Sequence, residues 1–405
     1  MTDEQHASLL KLYNSKLKDK FSDIDSHAIQ ILRRLKDARF EAYLVGGGVR
    51  DLLVDLKPKD FDIATSAMPN EVKRKVPYSF IIGRRFKLVH ARRGDQIYEI
   101  ATFRRAATDA ELETTEEDER HLVEENFFGN IEEDSWRRDF TINSLFYDPI
   151  DHVVVDHCKG LMDIHSRTLR MIGDPKARLI EDPIRILRAL RLSQKLGFTI
   201  ESSLREQILA LKDELKRAVL PRRREEWLKF FRLKSIDLAL MELFDLNVFE
   251  IILPSFHKLF SNPDQREQFL GYVRRFEHCG INFSDPVELF SAVLISYLSS
   301  TQPPGFKISD FYENDEFLLF SRDELGVFKA EMASFFQAMA VINPLKNKET
   351  YLKKGERRQR SLVFHQSFLF ALKLGLLTQQ FTPAEVLFWM NEHERFTQPA
   401  LSNRD

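Results

Sequence analysis

The stretch Lys57-Pro58-Lys59-Asp60-Phe61-Asp62-Ile63-Ala64-Thr65 constrains the chain more than any other. A proline stop followed by Asp60-Phe61-Asp62 and an isoleucine predicts a short strand. Residues two apart on a strand project from one face, so both carboxylates are expected together, roughly 7 Å apart along the backbone. Two carboxylates so placed repel unless solvent or a cation separates them. Hard oxygen ligands at this spacing suit Mg²⁺, which takes one or two protein carboxylates and fills its other positions with water and phosphate. An exposed edge strand with two solvated acids has the same spacing, so the neighbouring sequence decides.

Upstream, residues 1–41 predict helices, with Ile29, Leu32 and Leu35 at helical spacing. Glu41-Ala42-Tyr43-Leu44-Val45 predicts a buried strand running into Gly46-Gly47-Gly48, after which Val49-Arg50-Asp51-Leu52-Leu53 resumes a helical pattern. A strand, a glycine turn and a helix start present backbone N–H groups to an anion, although a tight turn alone would use the glycines equally well. Arg50 can add a charge-assisted contact to a phosphate.

Downstream, residues 79–90 and 97–104 predict a two-stranded hairpin. Glu99 sits there among strand-forming apolar residues, where an acid needs a partner. A neighbouring arginine would serve, and so would a place in a carboxylate trio with Asp60 and Asp62. Residues 106–134 are acidic and Thr-rich and read as a mobile surface loop. Arg137-Arg138-Asp139-Phe140-Thr141 and a strand at Val153-Val154-Val155 follow. His157 and Cys158 have no second ligand pair nearby and read as structural rather than zinc-binding.

From Asp174 onward the pattern is helical to the end. Asp182 and Pro183 fit an N-cap and a first helical residue. Capping leaves Arg185, Arg188 and Arg191 unexplained; they recur every third residue, close to one face. Arg222, Arg223 and Arg224 fill the first turn of another helix, where the dipole disfavours cations, so they are expected to serve something else. The late cluster that includes Lys353, Lys354, Arg357 and Arg358 fits either a solvated face or a contact to a nucleic-acid backbone.

At 405 residues there is room for two or three domains, and 43% hydrophobic with 30% charged residues is ordinary for a globular protein. Two cysteines cannot build a disulfide framework. The start lacks the features of a secretory signal, and no uncharged run is long enough to span a bilayer. A cytoplasmic protein without a membrane partner is the expectation. A net charge of −2 excludes a chain that is basic overall but allows local basic surfaces.

Six elements in order resemble the class II nucleotidyltransferases of the polymerase-beta superfamily, which comprise bacterial poly(A) polymerases and CCA-adding enzymes. They are Leu44-Val45-Gly46-Gly47-Gly48-Val49-Arg50-Asp51, Asp60-Phe61-Asp62, Glu99 before Ala101-Thr102-Phe103-Arg104, Arg138-Asp139-Phe140-Thr141, Asp156 with Gly160, and Glu181-Asp182 with Arg185. The resemblance implies an α+β fold. It divides the chain into a mixed-sheet catalytic head over 1–173, a helical neck over 174–232 and a helical body and tail over 233–405. It assigns Asp60 and Asp62 to two Mg²⁺ ions and Glu99 to the third carboxylate. Gly46, Gly47 and Arg50 would hold the triphosphate of ATP, and Arg138 and Asp139 would contact phosphate and ribose, Asp139 close to the chemistry. Asp182 and Arg185 would read the base, with Arg188 and Arg191 beside the nucleotide. An Asp acceptor and an Arg donor on one helix turn match the amino group and ring nitrogen of adenine or cytosine and mismatch guanine and uracil. Arg222, Lys353, Lys354, Arg357 and Arg358 would contact RNA.

Within the family, Ile81-Ile82-Gly83-Arg84-Arg85-Phe86-Lys87-Leu88-Val89-His90 and Asn126-Phe127-Phe128-Gly129-Asn130 resemble the poly(A) polymerase branch. The expected activity is addition of AMP to RNA 3′ ends, of mRNA or other transcripts, with RNA-decay or RNA-chaperone proteins as partners. The runner-up is a CCA-adding enzyme acting on tRNA, and a non-catalytic RNA-binding protein is the reading from another class. The lack of a long basic tail predicts low processivity.

Overall fold

The computed structural model describes residues 3–83, 88–94, 96–106 and 127–397. Arg84 to Lys87 of the basic strand segment and positions 107–126 of the acidic stretch lie outside the described residues. The chain forms two compact units, Met1–Glu181 with Leu196–Ile208, and Asp182–Lys195 with Leu209–Asp405.

The first unit is built on a mixed sheet of seven strands in the order β3-β4-β5-β2-β1-β8-β9. The strands are β1 (Ala42–Val45), β2 (Asp62–Thr65), β3 (Ser79–Ile82), β4 (Leu88–Arg93), β5 (Gln96–Thr102), β8 (Phe146–Asp148) and β9 (Val153–Val155). One face alternates into the core through Ala42, Leu44, Ile63, Thr65, Val89, Ala91, Tyr98 and Ile100, all buried. Helix α2 (Ser26–Asp37) packs on β1 and β2, and α4 (Pro69–Lys75) packs on β3, β4 and β5. Asp25 caps α2 by accepting the His27 and Ala28 N–H groups at 2.7 and 3.3 Å. The opposite face holds a smaller core of Val45, Ala64, Phe103 and Phe146. Toward β5, β4 and β3 it is open, with Glu99, Phe80 and Ile82 exposed. Strict alternation with one buried face fixes the register, since a one-residue slip would bury the acids.

Several expectations need correction. The predicted hairpin is a three-stranded meander, because residues 79–82 pair antiparallel with β4 as an edge strand of their own. Only Asp62 lies on β2: its pairing with β1 ends at Val45 opposite Asp62, where the chain turns into the glycines, so Asp60 is left in the preceding turn. The end of the supposed loop is structured. Phe127–Phe128 (β7) pairs with Arg104–Arg105 (β6), and Asn130 with Glu133 forms a capping box that starts the helix Ile131–Trp136. The helical half also holds a strand, Thr199–Ile200 (β11), which pairs in parallel with Thr168–Leu169 (β10).

The second unit is helical. Its phenylalanines make a packed aromatic core in which Phe249, Phe256, Phe260 and Phe269 meet edge-on at ring distances of 5.0 to 5.5 Å. Among the described residues no helix is long and apolar enough to cross a membrane.

Candidate active site

The registers place one row of side chains across the whole sheet. Phe80 pairs with His90, His90 with Glu99, Val45 with Asp62 and with Phe146, and Phe146 with Val155. Between β2 and β5 the parallel register sets Ile63 beside Ile100, and one step back sets Asp62 beside Glu99. Paired residues share a face, so Asp62 and Glu99 stand on neighbouring strands of the open face although 37 positions separate them, their backbones about 4.8 Å apart.

Asp62 is partly buried, and its carboxyl is pushed up to about 7. Burial is the largest cause, followed by the charges of Asp60 and Glu99, while Arg138 pulls the other way. Asp62, held between the charges of Asp60 and Glu99 at a half-open site, completes a hard-oxygen donor set suited to a divalent cation. Among the described residues no three His, Cys, Asp or Glu side chains form a ready ligating cluster. Glu99 leans instead on His90, whose Nε2 lies 3.6 Å from Glu99 Oε1, a partner the sequence reading did not consider. By chemistry, three carboxylates fit a hard divalent cation. A cleft of about 850 Å³ has Asp60, Lys57, Lys59 and Tyr98 on its walls, but neither Asp62 nor Glu99.

The glycines bring the chain close to these acids. A methyl group on Gly46 would lie 3.7 Å from Arg138 Nη1 and 3.9 Å from Asp62 Oδ2. One on Gly48 would lie 2.8 Å from the Asp60 carbonyl oxygen, a backbone atom that cannot yield, so glycine is required for α3 (Gly47–Leu53) to pass there.

Arg50 is buried and donates to Asp51 Oδ1 at 2.6 Å and to Asn143 Oδ1 at 2.7 Å. Asn143 in turn donates to Asp139 Oδ1 at 3.1 Å. Arg138 lies over the Phe146 ring at 5.0 Å and donates to Asp134 Oδ2 at 2.7 Å. Asp134 is buried, which alone would raise its carboxyl; the Arg138 and Arg137 guanidiniums outweigh that and hold it below the usual carboxylate range. Asp134 and Asn143 were missed in the sequence. The first was detectable, since an acid three and four residues before two arginines on a helix can hold both. Asp156 of the fifth motif is structural, accepting the Gly160 and Leu161 N–H groups at 2.8 and 2.9 Å.

In the second unit the arginines have protein partners. Asp182 receives a bidentate pair from Arg222 at 2.9 and 2.7 Å, with Arg185 Nε 4.0 Å away. The buried Glu226 receives Arg191 Nε at 2.6 Å, with Arg188 Nε at 3.8 Å and Lys229 Nζ at 3.0 Å. Burial would raise this carboxyl, but Arg191 and then Lys229 bring it below its ordinary value. Arg223 donates to the Ile252 carbonyl at 3.2 Å and Arg224 to Glu331 at 2.5 Å. The basic first turn of the helix Leu220–Phe230 is thus explained by two tertiary ion pairs and a bond to a distant carbonyl, which outweigh the unfavourable dipole. Lys353, Lys354, Arg357 and Arg358 are exposed and make no ion pair among the described residues.

Residues 42–170 match the family profile described as the poly A polymerase head domain, and residues 197–260 match that of the probable RNA and SrmB-binding site of polymerase A. Poly(A) polymerase I of Escherichia coli O6:H1 is 36% identical over 312 residues, 75% of this chain and 67% of the relative. The CCA-adding enzyme of Lactobacillus helveticus is 40% identical over 211 residues, 52% of this chain and 51% of that enzyme. The chain spans about half the length of the first curated relatives it matches. Among solved structures, the Thermotoga maritima CCA-adding enzyme complexed with tRNA shares the fold, with a TM-score of 0.57, 21% identity, and coverage of 96% of this chain and 87% of that one. On the strength of the head-domain match and the E. coli relative, the chain belongs to the poly(A) polymerase and CCA-adding family of nucleotidyltransferases.

Proposed function

We propose that the chain is a template-independent polynucleotide adenylyltransferase that adds AMP from ATP to RNA 3′ ends and releases pyrophosphate. One observation carries the reading: Asp62 and Glu99 stand side by side on an open sheet face, with Asp60 and Arg138 close enough to shift the Asp62 carboxyl. Asp60, Asp62 and Glu99 would hold two Mg²⁺ ions. When bound, magnesium supplies the positive charge that lowers the pKa of the RNA 3′-hydroxyl and offsets charge on the departing pyrophosphate. Arg138, anchored on Asp134, offers its guanidinium to the nucleotide's phosphates beside Asp62. Arg50, with Gly46 and Gly47 beside it, contributes a second fixed positive charge, and the Asn143 bridge ties its orientation to Asp139. In the second unit, Asp182 and Arg185 are the acceptor and donor for the adenine edge, and Arg222 holds the Asp182 carboxylate in position. Arg188 and Arg191 line the same helix. The head, neck and body division at 173 and 232 and the RNA contacts of Arg222, Lys353, Lys354, Arg357 and Arg358 are part of this proposal.

CCA addition is the second reading, favoured by the 40% identity to a CCA-adding enzyme. The poly(A) reading has the longer match, 75% of this chain against 52%. The two separate when the purified chain is incubated with Mg²⁺, each NTP alone or in pairs, and either a generic oligonucleotide or a tRNA lacking its 3′ end. ATP alone is expected to give a ladder on the generic RNA. Addition confined to the tRNA, needing CTP and ATP and halting at a fixed length, would replace the first reading with the second. No addition with any NTP would favour a non-catalytic RNA-binding protein.

A further inference from the structure

We propose that Phe80 is the platform on which the 3′-terminal base of the acceptor RNA stacks. The inference rests on the adenylyltransferase reading and deepens it by locating the attacking strand. Phe80 occupies the same row as His90, Glu99 and Asp62, on the same open face. Strands spaced about 4.8 Å apart put it roughly 10 Å from Glu99 and roughly 14 Å from Asp62. On the other flank of Asp62, toward β1 and β8, stand Gly46 and Arg138, the groups assigned to the nucleotide's phosphates. The attacking strand is left with the β5-β4-β3 side. A 3′-oxygen brought to Glu99 and Asp62 leaves its own base extending in that direction.

Phe80 suits this place chemically. It is 57% exposed, and Ile82, two residues on and on the same face, is 46% exposed. Ser79, pointing the other way, is buried, so the backbone that carries the ring is anchored. Phe80 has no aromatic or cationic partner among the described residues. A ring of this kind binds any base through its π face, which an enzyme acting on many 3′ ends needs, whereas hydrogen-bond readout would restrict it.

The test compares wild type, Phe80→Ala and Phe80→Trp on two oligonucleotides that differ only in whether the 3′-terminal nucleotide has its base. On the complete RNA, Phe80→Ala is expected to raise the RNA KM about tenfold, the scale of one lost base stack, while the KM for ATP stays put and Phe80→Trp behaves as wild type. The abasic end is expected to cost the wild type a similar factor and to cost Phe80→Ala almost nothing more. An unchanged RNA KM, or independent losses from the two changes, would overturn the assignment. So would a dimer in sedimentation that Phe80→Ala converts to a monomer, since the edge strand would then be covered by a second copy. If wild type adds nucleotide to neither RNA, the underlying reading fails and this one with it, an outcome distinct from a wild type that works and an alanine variant that matches it.

Discussion

Asp62→Asn is expected to lower AMP incorporation by at least about 10³-fold with the head still folded, because the change removes the charged ligand at the centre of the row. The same substitution is expected to stabilise the protein. The folded-state pKa of Asp62 is raised to about 7 from the ordinary 3.8, by burial first and then by Asp60 and Glu99. Between those values the folded chain keeps a proton that the unfolded chain has released, so stability falls as pH rises through that window. Above about pH 7 the full penalty of the ionised carboxylate is present. Melting in the chelator EDTA should therefore show Asp62→Asn above wild type at pH 8, by on the order of a few kcal/mol at most, with the gap closing toward pH 4. A site that opposes folding and supports turnover is strained for function. Equal activity, or a variant less stable at pH 8, would mean that Asp62 is an ordinary surface acid.

The largest loss of stability is expected in the second unit, from Glu331→Ala. Glu331 Oε1 accepts the Arg224 Nη2 bond at 2.5 Å, and its Oε2 accepts the Phe328 N–H at 2.7 Å at the start of the helix Lys329–Lys346. Arg224 is buried and lies between the Phe290 and Phe328 rings, 4.9 and 4.1 Å from their centroids. Removing the carboxylate leaves a buried guanidinium without its ion-pair partner, which costs about 3–5 kcal/mol. The lost hydrogen bond from the Phe328 N–H adds roughly 1 kcal/mol. Replacing both partners together, Arg224→Met with Glu331→Leu, is expected to recover most of the loss, since a buried pair is worth little over apolar side chains of similar volume. Urea denaturation of the three chains measures this. A double variant as unstable as Glu331→Ala would show that the pair contributes more than its own desolvation.

The parts of the site legible in the sequence were those with local spacing. Asp60-Phe61-Asp62 pointed to two neighbouring acids, although the strand alternation behind that expectation stops short of Asp60, and the glycines before Arg50 pointed to a turn into a helix start. Asp134 could have been found the same way from Arg137 and Arg138. What alternation could not supply was that β2 pairs with β5, because β3 and β4 intervene in the chain and reach the sheet edge by way of α4. Glu99 could therefore be named as a third acid, but its lateral place beside Asp62 and its contact with His90 could not. The arginines of the helical half show the opposite limit. Helix-dipole reasoning implied a task outside the helix for Arg222, Arg223 and Arg224, yet their nearest demands are tertiary. Asp182 is 40 residues from Arg222, and Glu331 is 107 from Arg224, separations over which charge can be read but pairing cannot.

The central claim, nucleotidyl transfer at the row of Asp60, Asp62 and Glu99, is tested most directly by following two labels in parallel. Wild type is given Mg²⁺, an RNA with a free 3′-hydroxyl, and ATP labelled at either the α or the γ phosphate. The α label is expected to enter RNA and the γ label to appear as pyrophosphate in equal amount, with both lost in Asp62→Asn. Gamma label on the RNA, or orthophosphate released without incorporation, would contradict the claim, because the bond broken would then be the terminal one and the chain would transfer phosphoryl groups or hydrolyse ATP.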